Sequence, residues 1–282
     1  MKPPAFDYAD PDTLDGALAL LADHGDDALI IAGGQSLIPL LNLRLARPEL
    51  VIDLRHIDDL FEVSVDESRL RSGTMVRAAD LEEHPSAMTI PGLVPALSLI
   101  AHSQIRARTT IGGSVAHADP AAELPALLVA LDGSVALKSS ARGERTVEAA
   151  DFFLGPLWTA REPDEILTSV TFPRHKGIVA IDEVAMRPGD FALVGVVTAY
   201  NVSAGMVTDP RIVLFGVAGT PIRATEAEAV LVGAAPDPAA FSAAAEKIRQ
   251  HLTPLGDAHG SVEYRRHLAA VLVERSLVKN ND

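Results

Sequence analysis

No cysteine occurs among the 282 residues of the chain. That excludes disulfides, thiolate zinc sites, an iron–sulfur cluster held by this chain's own thiolates, and a cysteinyl bond to any cofactor. A disulfide-free chain suits a reducing compartment, and a cytoplasmic location is expected. Positive charge is also short, with 24 lysines and arginines against 38 acids and a formal net charge of −14. Such a surface repels phosphate backbones, so nucleic acid is not an expected partner. Long apolar runs are missing too. The richest windows, GLVPALSLIAH and ELPALLVALDGSVAL, fall well short of the ~20 apolar residues of a membrane span. The opening MKPPAFDYAD has neither the basic start nor the apolar core of a signal peptide. Finally, G-x-S-x-G and H-E-x-x-H are absent, which removes the main hydrolase and protease readings. His117 and Asp119 stand two ligands short of a metal set, so no metal is expected on this chain.

What is present supports a folded protein. A hydrophobic fraction of 48% is ample for a core, and the length fits one large or two modest domains. Leu14, Ala17, Leu18 and Leu21 recur at helical spacing over Thr13–His24, and Gly25 stops that helix. ALIIAGG (28–34) reads as a buried strand, Ser36 as the N-cap of a helix with Pro39 in its first turn, and LVIDL (50–54) as a second strand. Strand, helix and strand here form a βαβ unit. From 56 to 175 short strands (EVSVD, RLRSGTMV, SVALKS, ILTSVTF) alternate with helices around 78–84, 92–102 and 121–131. Phe172-Pro173 followed by RHKG reads as a linker. Beyond it, VAIDEVAMR, ALVGVVTAYNVS and RIVLFGVAG read as an antiparallel meander. The tail is helical: a capping box at Thr225–Glu228, then helices near 237–251 and 260–278, the last with Leu268, Val271, Leu272 and Arg275 on one side. The fold class is α+β, with a boundary near residue 175.

Two glycine pairs carry the chemical signal. In AGGQSL, Gly33 and Gly34 lie between a strand and a helix start. In TTIGGSVAHADPAAELP, Gly112 and Gly113 again follow a β-branched residue and precede a serine, Ser114. Glycine lets a phosphate approach unpaired backbone N–H groups, and a pyrophosphate wants two such places converging. A tight turn that needs glycine for geometry alone is the other reading. Neither pair fits the G-x-G-x-x-G or P-loop spacing.

AGGQSL and TIGGS, in this order and separation, resemble the two flavin adenine dinucleotide (FAD) loops of the medium subunit of molybdenum hydroxylases, the xanthine dehydrogenase and carbon monoxide dehydrogenase group. The similarity runs along nearly the whole chain, from KPPAFDY through GGQSLIPLLNLRLARPELVIDL, IRARTTIGGSVAHADPAAELPALLVALD, EILTSVTFP and MRPGDFALV to FGVAGTPIRATEAEAVLVG and EYRRHLAAVLVERSL. It implies a two-subdomain FAD-binding domain of the PCMH/VAO type over 1–175 (subdomains about 1–55 and 56–175). A C-terminal domain of antiparallel sheet and helices over 176–282 is implied as well.

The resemblance also implies a site. Ala32, Gly33, Gly34, Gln35, Ser36 and Leu37 match the loop around the diphosphate. Thr110, Ile111, Gly112, Gly113 and Ser114 match the loop that meets the diphosphate and the flavin side. His117 and Glu123 match positions near the ribityl and pyrophosphate region. Leu167 matches a residue whose backbone faces the isoalloxazine. Phe191 matches a position that covers one flavin face, where some relatives have a tyrosine hydroxyl that is missing here. On spacing alone, Leu167 and Phe191 are core strand residues, and Glu123 is a solvated charge at a helix start. Arg106 and Arg108 either favour a reduced anionic flavin, touch a partner, or are plain surface arginines.

By the same resemblance the chain is an oxidoreductase subunit without a catalytic acid or base of its own. It takes electrons from [2Fe–2S] clusters on a small subunit, while a molybdopterin-bearing large subunit hydroxylates the substrate, in a dimer of heterotrimers. Gln35, where carbon monoxide dehydrogenases usually have histidine, leans towards N-heterocyclic or other organic substrates. Two alternatives remain: a carbon monoxide dehydrogenase medium subunit, and a stand-alone flavin oxidase or reductase on the same fold.

Overall fold

The computed structural model describes residues 2–279. The first lobe is a parallel sheet with its helices. β1 (Asp7–Ala9) leads to α1 (Leu14–His24), where Thr13 accepts a hydrogen bond from the Gly16 N–H and Gly25, at φ +53°, ends the helix. A left-handed residue is where glycine costs least. β2 (Ala28–Ile31), α2 (Leu37–Asn42) and β3 (Leu50–Asp53) follow, and the sheet order is β1-β3-β2 with both pairings parallel. Ala17, Leu18 and Leu21 of α1 pack on Leu50 and Ile52 beneath. Burying each of the two leucines contributes about 1.5–3 kcal/mol.

The second lobe is an antiparallel sheet covered by helices on one face. β4 (Val63–Val65) and β5 (Arg69–Gly73) precede α3 (Ala78–Glu83), α4 (Leu93–Leu99), α5 (Ser103–Arg106), α6 (Ile111–His117) and α7 (Glu123–Ala130). β6 (Ser134–Ser139), β7 (Gly143–Glu148), α8 (Ala149–Phe152), a small hairpin of β8 (Phe153–Gly155) and β9 (Trp158–Thr159), and β10 (Glu165–Pro173) complete it. The order is β4-β5-β10-β6-β7, so the last strand in sequence is central in space. Every residue of α7 is buried, including its charged first residue.

The third lobe is an antiparallel sheet of β11 (Ile178–Ala185), β12 (Ala192–Ser203), β13 (Met206–Phe215) and β14 (Ile222–Arg223), followed by α9 (Thr225–Leu231), α10 (Pro238–His251) and α11 (Val262–Lys279). Alternation gives this sheet two apolar faces. Val194, Val196, Ile212 and Leu214 face the C-terminal helices, whereas Val197, Val213 and Phe215 join the core of the second lobe.

Three local expectations are corrected, and the second glycine pair finds its place. Ser36 stands at the start of α2, but its side chain makes no cap hydrogen bond and its backbone is already helical. The turn begins earlier, with the Ile38 N–H donating to the Gly34 carbonyl. The second glycine pair lies inside the first turn of α6, with Thr110 as its cap at 3.1 Å from the Gly113 nitrogen. Thr225 and Glu228 form no capping box, because the Glu228 carboxylate accepts instead from the Ile212 N–H and Arg223. On α11, Val271 and Arg275 are exposed; the buried face is Ala269, Ala270, Leu272, Val273, Ser276 and Leu277.

Candidate functional site

The two glycine segments meet backbone to backbone. A β-carbon on Gly33 would fall inside the carbonyl oxygen of Arg108, and one on Gly113 would lie 3.5 Å from the Ala32 methyl. Only glycine at 33 allows the first loop to lie against the segment entering α6. Gly112 is pinned from the other side: its N–H donates to the Thr74 carbonyl at 3.0 Å, and a β-carbon there would strike the Thr74 hydroxyl. The Thr74 N–H in turn donates to the Thr168 carbonyl on β10, beside the bulge that follows Leu167. One chain of contacts thus joins Ala32–Gly33, Arg108–Gly113, Thr74 and Leu167–Thr168.

The loop's donors are unspent. Among the described residues the N–H groups of Gly33, Gly34, Gln35 and Ser36 donate to no other group of the chain, and all four residues are half-buried. Four half-buried donors in succession are open to an acceptor from outside the chain. The Gln35 side-chain amide donates back to the Gly33 carbonyl at 3.1 Å, which braces the turn. α2 has only six residues, so the free N–H groups rather than a helix dipole are the attraction for an anion. Phosphate oxygens accept several hydrogen bonds at once, and a diphosphate fits this donor set.

Beyond α6 the site becomes acidic and poorly solvated. His117 ends the helix half-buried, and burial lowers its pKa against a weaker opposite pull from Asp119. A turn fixed by Asp119, which accepts from the Ala121 and Ala122 N–H groups, delivers Glu123 as the first residue of α7. Glu123 is 8% exposed, and burial pushes its carboxyl up to about 7. Across the lobe boundary Glu183 of β11 is pushed up to about 8, by burial first and then by the charge of Glu123. Its Oε2 is buried without a hydrogen-bond partner. No metal-holding group of three or more His, Cys, Asp or Glu side chains exists among the described residues.

The remaining expected residues divide. Ile111 and Leu167 are fully buried in the core of the second lobe. Phe191 is not the core strand residue its spacing suggested: it precedes β12 and is 70% exposed. Its loop is held at Gly189, which packs on the His102 imidazole just before α5. Glu123 is likewise not a solvated charge. Arg106 is no free surface group, since it binds Glu82 and the carbonyls of Ile100 and Ala101, which fixes the approach to α6. Away from all this, a groove of about 420 Å³ opens on the outer face of the five-stranded sheet, lined by Arg69, Arg71, Ser134 and Ser169.

Comparison with known proteins decides the family. Residues 4–175 match the FAD binding domain in molybdopterin dehydrogenase, and residues 180–279 match the CO dehydrogenase flavoprotein C-terminal domain. The chain belongs to the FAD-binding medium-subunit family of the molybdenum hydroxylases. Within this family it is 40% identical over 283 residues to the 6-hydroxypseudooxynicotine dehydrogenase complex subunit alpha of Paenarthrobacter nicotinovorans, covering 99% of this chain and 95% of that protein. It is 35% identical to the carbon monoxide dehydrogenase medium chain of Hydrogenophaga pseudoflava, over 98% and 97% of the two chains. The crystal structure of quinoline 2-oxidoreductase from Pseudomonas putida 86 superposes with a TM-score of 0.95 at 39% identity, over 99% and 98% of the chains.

Family membership makes the chain an oxidoreductase subunit that carries FAD, and its relatives are subunits of multi-subunit enzymes. Some medium-subunit features escaped sequence reading. Thr74 bridges the second glycine segment to β10, and its signal was modest: a Gly-Thr step directly after a strand pattern. Glu183 was legible as a charge in the middle of the apolar alternation VAIDEVA. The use of the Arg108 carbonyl as a stop for Gly33 left no trace in residue types. No described helix is long and apolar enough to cross a membrane.

Proposed function

We propose that this chain holds FAD between residues 32–37 and 110–114 and passes electrons from the [2Fe–2S] clusters of a small subunit to an external acceptor. The enzyme so formed would be a cytoplasmic dimer of heterotrimers whose molybdopterin-bearing large subunit hydroxylates an N-heterocyclic or related organic substrate. The chain would divide near residue 175 into a FAD-binding domain and a C-terminal domain.

The observation that carries the reading is the row of four unpaired N–H groups at Gly33–Ser36, in a loop whose Gly33 lies against the segment that enters α6. Those donors, with the Thr110 and Ser114 hydroxyls, would hold the diphosphate. His117 and Glu123 would meet the ribityl region, the Leu167 backbone the ring, and exposed Phe191 would cover one ring face. Bound flavin supplies one quality the protein lacks, the ability to take electrons singly and release them in pairs. The substrate class rests on Gln35 and on relatives named for an oxynicotine and for quinoline.

The test is the absorption spectrum of the purified chain after FAD addition, followed by acid release of the chromophore. Bands near ~370 and ~450 nm with intact FAD released are expected. A folded chain that stays colourless at saturating FAD would sink the proposal.

A further inference from the structure

Strand alternation sends Glu183 into a place where its charge has no counterpart. Along β11, Ile178, Asp182 and Val184 face the C-terminal helices, and Asp182 is bonded there by Arg275 and Lys279. Val179, Ile181 and Glu183 therefore face the opposite way, where Val179 and Ile181 pack on the core of the second lobe. Glu183 is in register with Gly195, and Gly195 with Phe215, whose ring lies over Gly195 because no side chain intervenes. Next to Phe215, the Gly216 N–H donates to the Pro120 carbonyl at 2.8 Å, three residues before Glu123. Register and this hydrogen bond thus bring Glu183 and the segment leading into Glu123 to the same lobe boundary, close enough for the charge of Glu123 to act on Glu183.

No cation balances them. The side-chain charges acting on Glu123 and Glu183 from elsewhere are those of Asp119 and Asp182, both acidic. α4, which also packs on β11, has no ionisable side chain, and β12 contributes only Tyr200. Arg211 and Asp209 of β13 are engaged with each other and with the far end of α7 at Ala130 and Asp132. Arg265 of α11 turns its terminal nitrogens to the Leu193 and Gly216 carbonyls and Asp257, with its Nε buried and unpartnered, and its charge is not among those acting on either glutamate. His117 of α6 is held towards its neutral form by burial, Asp151 of α8 is exposed, and so is Arg187 beyond β11. Two carboxylates in such surroundings cannot both stay ionised, so a proton resides on the pair at neutral pH.

We propose that Glu123 and Glu183 form a proton site linked to cofactor binding, in which arrival of the FAD diphosphate draws a proton from solvent onto a carboxylate of the pair. The proposal rests on the reading of residues 110–123 as FAD contacts. The step is simple: one carboxylate and one proton become one carboxylic acid, with no change in oxidation state. Its cause is the two negative charges of the diphosphate, which make a neighbouring carboxylate costlier and the acid form correspondingly favoured. The sign follows. Both carboxyls already titrate high in the free chain, at about 7 and about 8, and binding raises them further. Affinity is therefore full below that range and is lost as pH rises through it.

The experiment is calorimetric titration of FAD into the FAD-free full-length chain at pH 7.5, in two buffers of different ionisation enthalpy, with Kd followed from pH 6 to 9. Net uptake approaching one proton is expected, with Kd flat at pH 6 and rising up to about tenfold per pH unit on the alkaline side. E183Q leaves Glu123, which its own burial holds at about 7, so proton uptake in that variant should fall only in part. In E123Q/E183Q the uptake per bound FAD should fall to near zero and the Kd profile should flatten, and uptake that persists in the double variant overturns the proposal. FAD binding with no proton uptake and a pH-independent Kd overturns the proposal and leaves the FAD reading standing. Absence of FAD binding at every pH overturns the reading and the proposal with it. Should the double variant fail to fold, the wild-type proton count alone decides.

Discussion

Gly33 shows how much one absent side chain can do. Its neighbour Gly34 needs glycine for conformation, at φ +72°, but Gly33 needs it for contact, because the Arg108 carbonyl occupies the space of a β-carbon. A methyl group there must push apart the two segments that form the site. Overpacking of this kind costs about 1–3 kcal/mol. We expect Gly33→Ala to lower the thermal midpoint by a few degrees and to weaken FAD binding by at least about tenfold, since the displaced N–H groups lose their aim. A fluorescence titration of FAD into the refolded variant checks this, and unchanged affinity would mean the loops do not converge on the cofactor. Glycine spacing made the two pairs visible in the sequence. Which glycine answers to φ and which to a facing carbonyl depends on residues 75 positions away, and no local pattern carries that.

At the scale of elements, α9 is the instructive case. Its sequence, TEAE, has the residue types of a capping box, yet the helix begins without one. The Glu228 carboxylate is taken by a stronger set of donors, the Ile212 N–H at 2.8 Å and Arg223 at 3.0 and 2.9 Å. A capping box competes locally, whereas this arrangement ties the helix to the edge of the sheet. Glu228→Ala should therefore cost on the order of 2 kcal/mol, since it strands a buried N–H and an arginine. Thr225→Ala should cost well under the ~1 kcal/mol of a lost N-cap. Urea unfolding of the two variants reads the difference, and an equal loss from both would restore the capping box. Long periodic elements were legible: α1, β6 and β12 lie where alternation and helical spacing put them. β7, α5 and the β8–β9 hairpin were not, because GERTVE, SQIR and FLG–WT are too short or too polar to carry a period, and only packing defines them. α11 was read with its stripe rotated, since Ala269, Ala270 and Ser276 of its buried face are residues that hydrophobicity undervalues.

For the molecule as a whole, two sets of carboxyls pull the pH optimum of stability from opposite sides. Burial would raise Glu165, but hydrogen bonds from Arg145 and the Glu162 N–H hold it below its ordinary value of 4.5. Hydrogen bonding to Arg265 does the same for Asp257 against its ordinary 3.8. Stability from these groups is present above the unfolded values and is lost as pH falls through the folded ones. Glu123 and Glu183 behave in reverse: their contribution is full below 4.5 and disappears as pH rises through about 7 and 8. A formal charge of −14 adds self-repulsion on the alkaline side. The FAD-free chain should therefore melt highest in mildly acidic solution and lose several degrees between pH 6 and 9. The double variant E123Q/E183Q should lose distinctly less over the same range, as scanning calorimetry would show; an equal loss would assign the slope to net charge alone.

The central place of β10 carries a consequence for synthesis. β5 pairs with β4 and β6 with β7, but the two hairpins are joined to each other only by the strand that the ribosome delivers last in this lobe, residues 165–173. Thr74 and Gly112 take their support from that same strand through Thr168. A nascent chain that has already emerged through both glycine segments still has an open gap where its sheet should close. Vectorial translation thus keeps the binding cleft unfinished until about three fifths of the polypeptide is out, and cofactor capture is an event of the completed lobe rather than of the growing one.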